Sequence, residues 1–553
     1  MGHFLVRDLL LDLALLLCLV VAWFAPRFGD RILKIVERFG LLIARKRGHA
    51  IIYLAISAIL IRLSLIWLLP VPVPRTHDEF SYLLAADTFA HGRLANPPHP
   101  LSLFLDTFHV NQYPAYMSKY PPAQGATLAI GEILGNAWIG VVLSVSCMCG
   151  AILWMLQGWL PASWALLGGV LVLLRLGVFS YWMNSYWGGA IPAIGGALVV
   201  GAFPRILRYW QARHVALLGL GGAILMNSRP LEGFILCLPV AACFLIQLSR
   251  GHRPPRKIIL HHFVFPLSVI ASASAIFFCY YNWRGTGNPF LMPYNINERN
   301  YVSTPTLLWQ SERPPLQFSN PQFDAFYNSW MRNLWLEGQS DTLPHAAKHI
   351  FSVITKFTYF FLWPELCVML AALPWIMRDR RVRFLIIQSA VCFFAFLLVA
   401  WFQPHYAAPL TATVFALLVQ GLRHLRRWKY SGKPVGIGLT RVVVLFALLL
   451  APFHPHAATI GNVAISGIEY RARFQAQLEA TAGKQLVVVR YSPEHDVLAE
   501  WVYNKADIDN AKVIWVRELP GTDITPVLNY FSGRRVWLVE PDTSPPSLAP
   551  YFK

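Results

Sequence analysis

The chain has 553 residues, of which 56% are hydrophobic and only 14% charged, with a formal net charge of +19. Its mean hydropathy is +0.46. A soluble globular chain carries about a quarter charged residues, so an ordinary water-soluble fold is excluded.

Apolar blocks recur at 9–24, 50–69, 137–157, 162–181, 187–203, 214–228, 231–248, 258–281, 351–376, 384–402, 405–421 and 436–452. Each is near the roughly 20 residues that a helix needs to cross a bilayer core. The pattern predicts a polytopic α-helical membrane protein with about 12 transmembrane helices. The first block has the look of a signal-peptide core, but Trp23 stands where cleavage needs a small residue and Pro26 would follow the cut. It reads as an uncleaved anchor helix. Span 214–228 is short and Gly-rich, which predicts a tilted or broken helix.

The basic excess follows this frame. Lys and Arg number 23 in segments 26–49, 204–213, 249–257, 377–383 and 422–433, against nine in the much longer loops of the other face. That asymmetry is the positive-inside pattern, so the charge sets topology and calls for no nucleic acid. Both termini then lie outside. All eight cysteines fall within apolar spans, where they read as small packing residues, with no disulfide framework in the loops.

The first outer loop, 71–136, opens with "PVPRTHDEFSYLLAADTFAHGRL". Asp78 and Glu79 put two carboxylates where the chain leaves the membrane, as general base and as orienting or metal-binding partner. Thr76-x-x-Glu79 is equally a capping box, worth about 1 kcal/mol, and the two readings can coexist. Phe80, Leu83, Leu84 and Phe89 then recur at helical spacing, with Gly92 where a helix would end. This predicts an amphipathic helix lying on the outer membrane surface. The loop closes with "YMSKYPPAQG", whose Lys119 is a cation suited to a lipid phosphate, or to simple snorkelling.

Three ionisable residues, Arg62, Arg175 and Glu365, sit inside spans. A charge at a helix centre costs roughly 2.5–3.5 kcal/mol on insertion, so each needs a partner or a substrate. Arg229 in "MNSRPLEG" occupies a short outer turn beside Glu232, open to a phosphate or to that glutamate. His405 and Tyr406 in "FQPHYAAPL" end another span, as a substrate contact or as packing, and Trp182, Tyr186 and Trp187 suit either sugar rings or an aromatic belt. The second outer loop, 282–350, is rich in aromatics, Asn and Pro.

From about residue 461 the composition becomes ordinary. "QLVVVRY", "KVIWVREL" and "RRVWLVE" predict three strands, with a helix around 494–506 between the first two. The expected division is an anchor helix and basic segment over 1–49, a transmembrane region over 50–452, and a small α/β domain over 461–553 on the outer face.

The order "HDEFSYLLAADTFAHG", "SKYPPAQG", "SRPLEG", "QPHYAAPL" resembles the GT-C glycosyltransferases that use polyprenyl-phosphate sugars. The nearest branch is the one with protein O-mannosyltransferases and lipid A aminoarabinose transferases. The resemblance covers about 50–452 and leaves out the anchor helix and the C-terminal domain. It implies Asp78 as base and Glu79 as its orienting or metal-binding partner. Lys119 and Arg229 would grip the donor phosphate. By their positions in the sequence, Arg62 and Arg175 are further candidates for the donor phosphate, and Tyr120, His405 and Tyr406 for substrate. It also implies inversion at the anomeric carbon and a divalent cation, Mg or Mn, as the one cofactor to consider. "PPAQG" after the Lys and Tyr departs from the aminoarabinose pattern, which leaves lipid, glycan and protein acceptors open. The expected setting is a bacterial inner membrane, with the site facing the periplasm. A glycan or lipid transporter, with Arg62, Arg175 and Glu365 along its path, and a non-catalytic scaffold fit the same composition.

Overall fold

The computed structural model describes residues 2–249, 254–338, 342–362, 372–451 and 467–551. Among these, six helices are long and apolar enough to cross a membrane: Arg47–Ser64, Ala137–Trp159, Ala190–Tyr209, Pro230–Ser249, Arg256–Thr286 and Pro404–Arg426. Five shorter apolar helices, Leu13–Phe24, Ala162–Val178, Ala212–Met226, Arg383–Leu397 and Val435–Leu449, accompany them. The expected span 351–376 falls partly outside the described residues, and Glu365 lies wholly outside them.

Pro404–Arg426, 83% buried, and Ala137–Trp159 and Ala190–Tyr209, each 72% buried, form the centre of the bundle, whereas Arg256–Thr286 is only 6% buried and presents apolar side chains outward. The Gly-rich span is a continuous 15-residue helix, Ala212–Met226, and not a broken one. Its glycines serve packing: a Cβ on Gly221 would stand 2.7 Å from the Gly195 carbonyl of the neighbouring helix. Two helices approach that closely only where side chains are missing.

The side of the bundle that carries the loop 71–136 is built on the helix His77–Ala90, here the site helix. Thr76 caps it and Glu79 completes the capping box, while Gly92 at φ 72° follows its end. It does not lie on a membrane surface. Ten of its 14 residues are buried, on all sides, including Ser81, Tyr82, Ala85 and Ala86. The apolar stripe marks only one of its packed faces. The other is small: a Cβ on Gly125, in the helix Pro122–Ile133, would come 2.5 Å from the Ala85 methyl. Strands β1 (Val110–Asn111) and β2 (Met117–Ser118) pair antiparallel beside it. Ser81 Oγ ties helix to ladder at 2.7 Å from both the His109 carbonyl and Ser118 Oγ.

The C-terminal residues form a second sheet of β3 (Gln485–Val489), β4 (Val513–Arg517), β5 (Arg535–Glu540) and β6 (Ser547–Pro550), in the order β4-β3-β5-β6. The first three are parallel and β6 is antiparallel. Every residue of β3 and β4 is buried, which is why both read as continuous apolar runs. One face packs on Leu84, Phe104, Leu105 and Tyr116 of the first outer loop, and the other on Leu478, Trp501 and Val502.

The helix expected around 494–506 is irregular chain. Its carbonyls are committed elsewhere. Val497 O is bound by the His77 ring, Trp501 O and Tyr503 O by Arg471, and Asn504 O by the Tyr116 hydroxyl. A segment so engaged with side chains has no i→i−4 ladder to make. Helices form instead at Ile468–Ala480 and Thr525–Tyr530.

Candidate active site

The two adjacent carboxylates are put to different uses. Glu79 is fully buried and takes four donors: Oε2 accepts the backbone N–H of Arg75 (2.7 Å) and Thr76 (3.1 Å) and the Thr76 hydroxyl (3.4 Å), while Oε1 accepts the N–H of Tyr186 (2.9 Å). Burial pushes its pKa up, against the pull of those three backbone amides. Glu79 thus caps the site helix and stitches it to the 182–186 turn.

Asp78 faces the other way. Its Oδ1 accepts the Tyr120 hydroxyl and lies 3.4 Å from His109 Nδ1, while Oδ2 makes no hydrogen bond among the described residues. Burial works to raise its pKa, but His109, Tyr120 and Lys119 outweigh it and hold the carboxyl below the usual carboxylate range. Burial and Lys119 lower the pKa of His109, and Asp78 pulls it back up. His109 Nδ1 also lies 3.2 Å from the Tyr120 oxygen, which assigns the proton to Nδ1 and leaves Nε2 a buried atom with no partner among the described residues. The ring reaches this place because His109 adopts φ 60°, a conformation uncommon outside glycine, at the start of β1.

Lys119, at the end of β2, does not snorkel. Its Nζ is buried, 3.7 Å from Glu298 Oε1 and over the rings of Tyr120 and Tyr294 at 5.5 and 5.1 Å. Burial lowers its pKa, and Glu298 and Asp78 pull it back up. Arg229 pairs with Glu232 at 3.5 Å and covers the Tyr406 ring at 4.6 Å. Tyr82, stacked on Tyr120 at 4.5 Å, feels the charges of both Arg229 and Asp78. One partly buried polar site therefore holds Asp78, His109, Lys119, Tyr120 and Glu298, and Arg229 and Tyr406 lie close enough to exchange electrostatic influence with it. His405 borders it, buried against Trp187 at 4.5 Å, with Nδ1 3.2 Å from the Tyr181 hydroxyl. Trp182 is wholly buried.

Arg62 and Arg175 are not brought into this cluster. Arg62 binds Asn184 Oδ1 (3.0 Å) and the Pro70 carbonyl (3.1 Å) beneath Trp138. Arg175 donates to the carbonyls of Phe360 (2.8 Å) and Tyr359. Both tie helix ends together, and these bonds offset part of the cost of a buried guanidinium.

The expected divalent cation does not fit Glu79, whose two oxygens already accept four donors, and no group of three or more His, Cys, Asp or Glu among the described residues is placed to hold a metal ion. Sequence reasoning missed His109 and Glu298. His109 sits in "DTFHVNQ" without a motif, and Glu298 lies in "NINERN" of the other loop. Only the ladder and the meeting of the two loops make them neighbours of Asp78 and Lys119.

No family model and no curated protein matches the chain. Among solved structures, the chain is similar to the Archaeoglobus fulgidus oligosaccharyltransferase tethered with an acceptor peptide, at 12% identity and a TM-score of 0.46. That match covers 82% of this chain and 63% of that one. Apo ArnT from Cupriavidus metallidurans is similar at 13% identity and a TM-score of 0.46, over 89% and 93% of the two chains. ArnT bound to undecaprenyl phosphate gives 13% identity and a TM-score of 0.47, over 88% and 92%.

Proposed function

We propose that this chain is a membrane glycosyltransferase that moves a sugar from a polyprenyl-phosphate carrier to an acceptor on the outer face of a bacterial inner membrane. The observation that carries the reading is Asp78: an ionised carboxylate with one oxygen fixed by Tyr120 and His109 and the other without a hydrogen bond among the described residues, with the buried Lys119 and the half-buried Arg229 in the same region. A lipid-linked sugar keeps its phosphate at the membrane surface, and the site lies where the chain leaves its apolar helices.

The chemistry follows from the positions. The acceptor O–H or N–H gives its proton to Asp78 Oδ2 as its heavy atom bonds to the anomeric carbon. The bond from that carbon to the phosphate oxygen breaks, and the charge gained by the phosphate is met by Lys119 and Arg229. The products are the glycosylated acceptor and the polyprenyl phosphate. Attack opposite the leaving group gives the inverted anomer, as the sequence resemblance implies. Tyr406 and His405, at the rim, are assigned to the sugar. The anchor helix and the domain over 461–553 complete the proposed division.

Arg62 and Arg175 weigh against a transporter, since their guanidiniums are committed to carbonyls and to Asn184. The test is mass spectrometry of envelope glycans, glycolipids and glycoproteins from a deletion strain complemented with wild type or Asp78→Asn. A modification lost on deletion and restored only by wild type supports the reading. An unchanged envelope, or full restoration by Asp78→Asn, overturns it.

A further inference from the structure

The Asp78–Glu79 pair is flanked by two buried rings, His77 and Phe80, and both are held by one residue of the C-terminal sheet domain. The Tyr503 hydroxyl lies 2.6 Å from His77 Nδ1, while its ring stacks on Phe80 at 4.0 Å and 5°. His77 Nε2 lies 3.1 Å from the Val497 carbonyl. A carbonyl can only accept, so Nε2 carries the proton and Nδ1 accepts from Tyr503. The two bonds thus fix the His77 ring in one tautomer and one orientation. Phe108 and Phe326 close around it at 4.4 and 5.1 Å, and the His109 ring stands edge-on at 5.7 Å. One end of this contact is the backbone that carries Asp78, and the other is the imidazole that holds its Oδ1.

Tyr503 is itself braced. Arg471 covers the Phe80 ring at 4.7 Å and donates to the carbonyls of Trp501 (2.7 Å) and Tyr503 (3.0 Å). Three turns on, the same domain grips the far end of the site helix, where the Ala506 N–H donates to Asp87 Oδ2 at 2.6 Å. Such bonds constrain both where the helix sits and how it is rotated about its axis. The rotation matters, because Asp78 and Glu79 are adjacent and a turn of the helix would exchange which one faces Lys119.

We infer that Tyr503 is a positioning residue for Asp78, through which the C-terminal domain sets the angle of the catalytic carboxylate. The inference rests on the proposed transferase reading. It gives the domain a role that a separate appendage would not have: transfer depends on it although none of its residues need touch substrate. A base displaced by about 1 Å can cost on the order of a hundredfold in rate without changing donor affinity.

The experiment uses the full-length protein in nanodiscs, with a polyprenyl-phosphate sugar and acceptor and Asp78→Asn as reference. Tyr503→Phe keeps the stack on Phe80 and removes the hydroxyl that bonds His77. Its kcat is expected to fall about tenfold, with donor KM within about twofold and an unchanged melting temperature. Tyr503→Leu, which also removes the stack, is expected to fall further in kcat with the same KM. Tyr491→Phe serves as control. It removes another buried hydroxyl of the domain, bound to Glu500 and to the Trp501 N–H, without touching the site helix. It is expected to lower the melting temperature and leave kcat as in wild type. Wild-type kcat in Tyr503→Phe, or a fall in kcat that tracks melting temperature alike in Tyr503→Phe and Tyr491→Phe, overturns the inference. Wild-type transfer in Asp78→Asn would instead overturn the transferase assignment of this site.

Discussion

The backbone N–H of Tyr186 donates to Oε1 of Glu79 at 2.9 Å, joining the start of the site helix to a turn between two apolar helices. That bond completes the four donors on Glu79 and separates its role from that of Asp78. The pair is one structural carboxylate and one available for chemistry, and the two should respond differently to substitution.

Asp78→Asn keeps the size of the side chain and an acceptor for the Tyr120 hydroxyl but cannot take a proton. Transfer is expected to fall by about 10²–10⁴-fold, with expression and melting temperature close to wild type. Turnover of a fluorescent or radiolabelled polyprenyl-phosphate sugar measures it.

Glu79→Ala strips a cap and leaves buried amides unpaired, at a cost of about 3 kcal/mol. A clear drop in melting temperature is expected, with activity lost in proportion to unfolding. Wild-type stability in this variant would show that the four bonds are not what holds the helix.

The cations should divide along donor binding. Lys119→Ala is expected to raise the donor KM about ten- to a hundredfold and to remove the ion-pair partner of the half-buried Glu298, lowering stability as well. Arg229→Ala should raise KM while freeing Glu232 and uncovering Tyr406. Titration of undecaprenyl phosphate against each variant separates affinity from turnover.

The pH profile follows from the directions of the shifts. Asp78 is held below the usual carboxylate range, so the base remains ionised and no acid limb is expected between about pH 5 and 8. Lys119 is lowered by burial, so its charge is lost as pH rises at values short of the free-lysine figure of about 10.4. An alkaline decline in kcat/KM is expected there, and Lys119→Arg should move it upward.

Asp106 offers a stability test outside the site. Burial pushes its carboxyl up to about 7, against Arg517 and the Tyr301 hydroxyl at 3.1 Å. A carboxyl raised on folding contributes stability that is present at low pH and is lost as pH rises through the folded value. Unfolding of the region around the C-terminal sheet is therefore expected to become easier between about pH 4 and 7, and Asp106→Asn should flatten that slope. Melting curves across this range decide it.

The chain shows where sequence reasoning succeeds and where it stops. Thr76, Glu79 and Gly92 bound the site helix by local rules, and the structure starts and ends it there. The same helix was expected on a membrane surface, because Phe80, Leu83, Leu84 and Phe89 form a stripe. Nothing local says that Gly125 will press on Ala85, or that Tyr503 will stack on Phe80. The stretch 494–506 failed as a helix for the same reason, since its carbonyls answer to Arg471, His77 and Tyr116.

By itself, the sequence determined the features that depend on short-range pattern: apolar lengths, the bias of basic loops, the buried runs of β3 and β4, and the adjacency of Asp78 and Glu79. Only the tertiary structure decided which carboxylate is spent on capping, that His109 and Tyr120 share Asp78, and that Glu298 meets Lys119. It also decided that Arg62 and Arg175 serve helix ends. The physical reason is that desolvation and partner choice set the role of a buried charge, and both are supplied by residues distant in the chain.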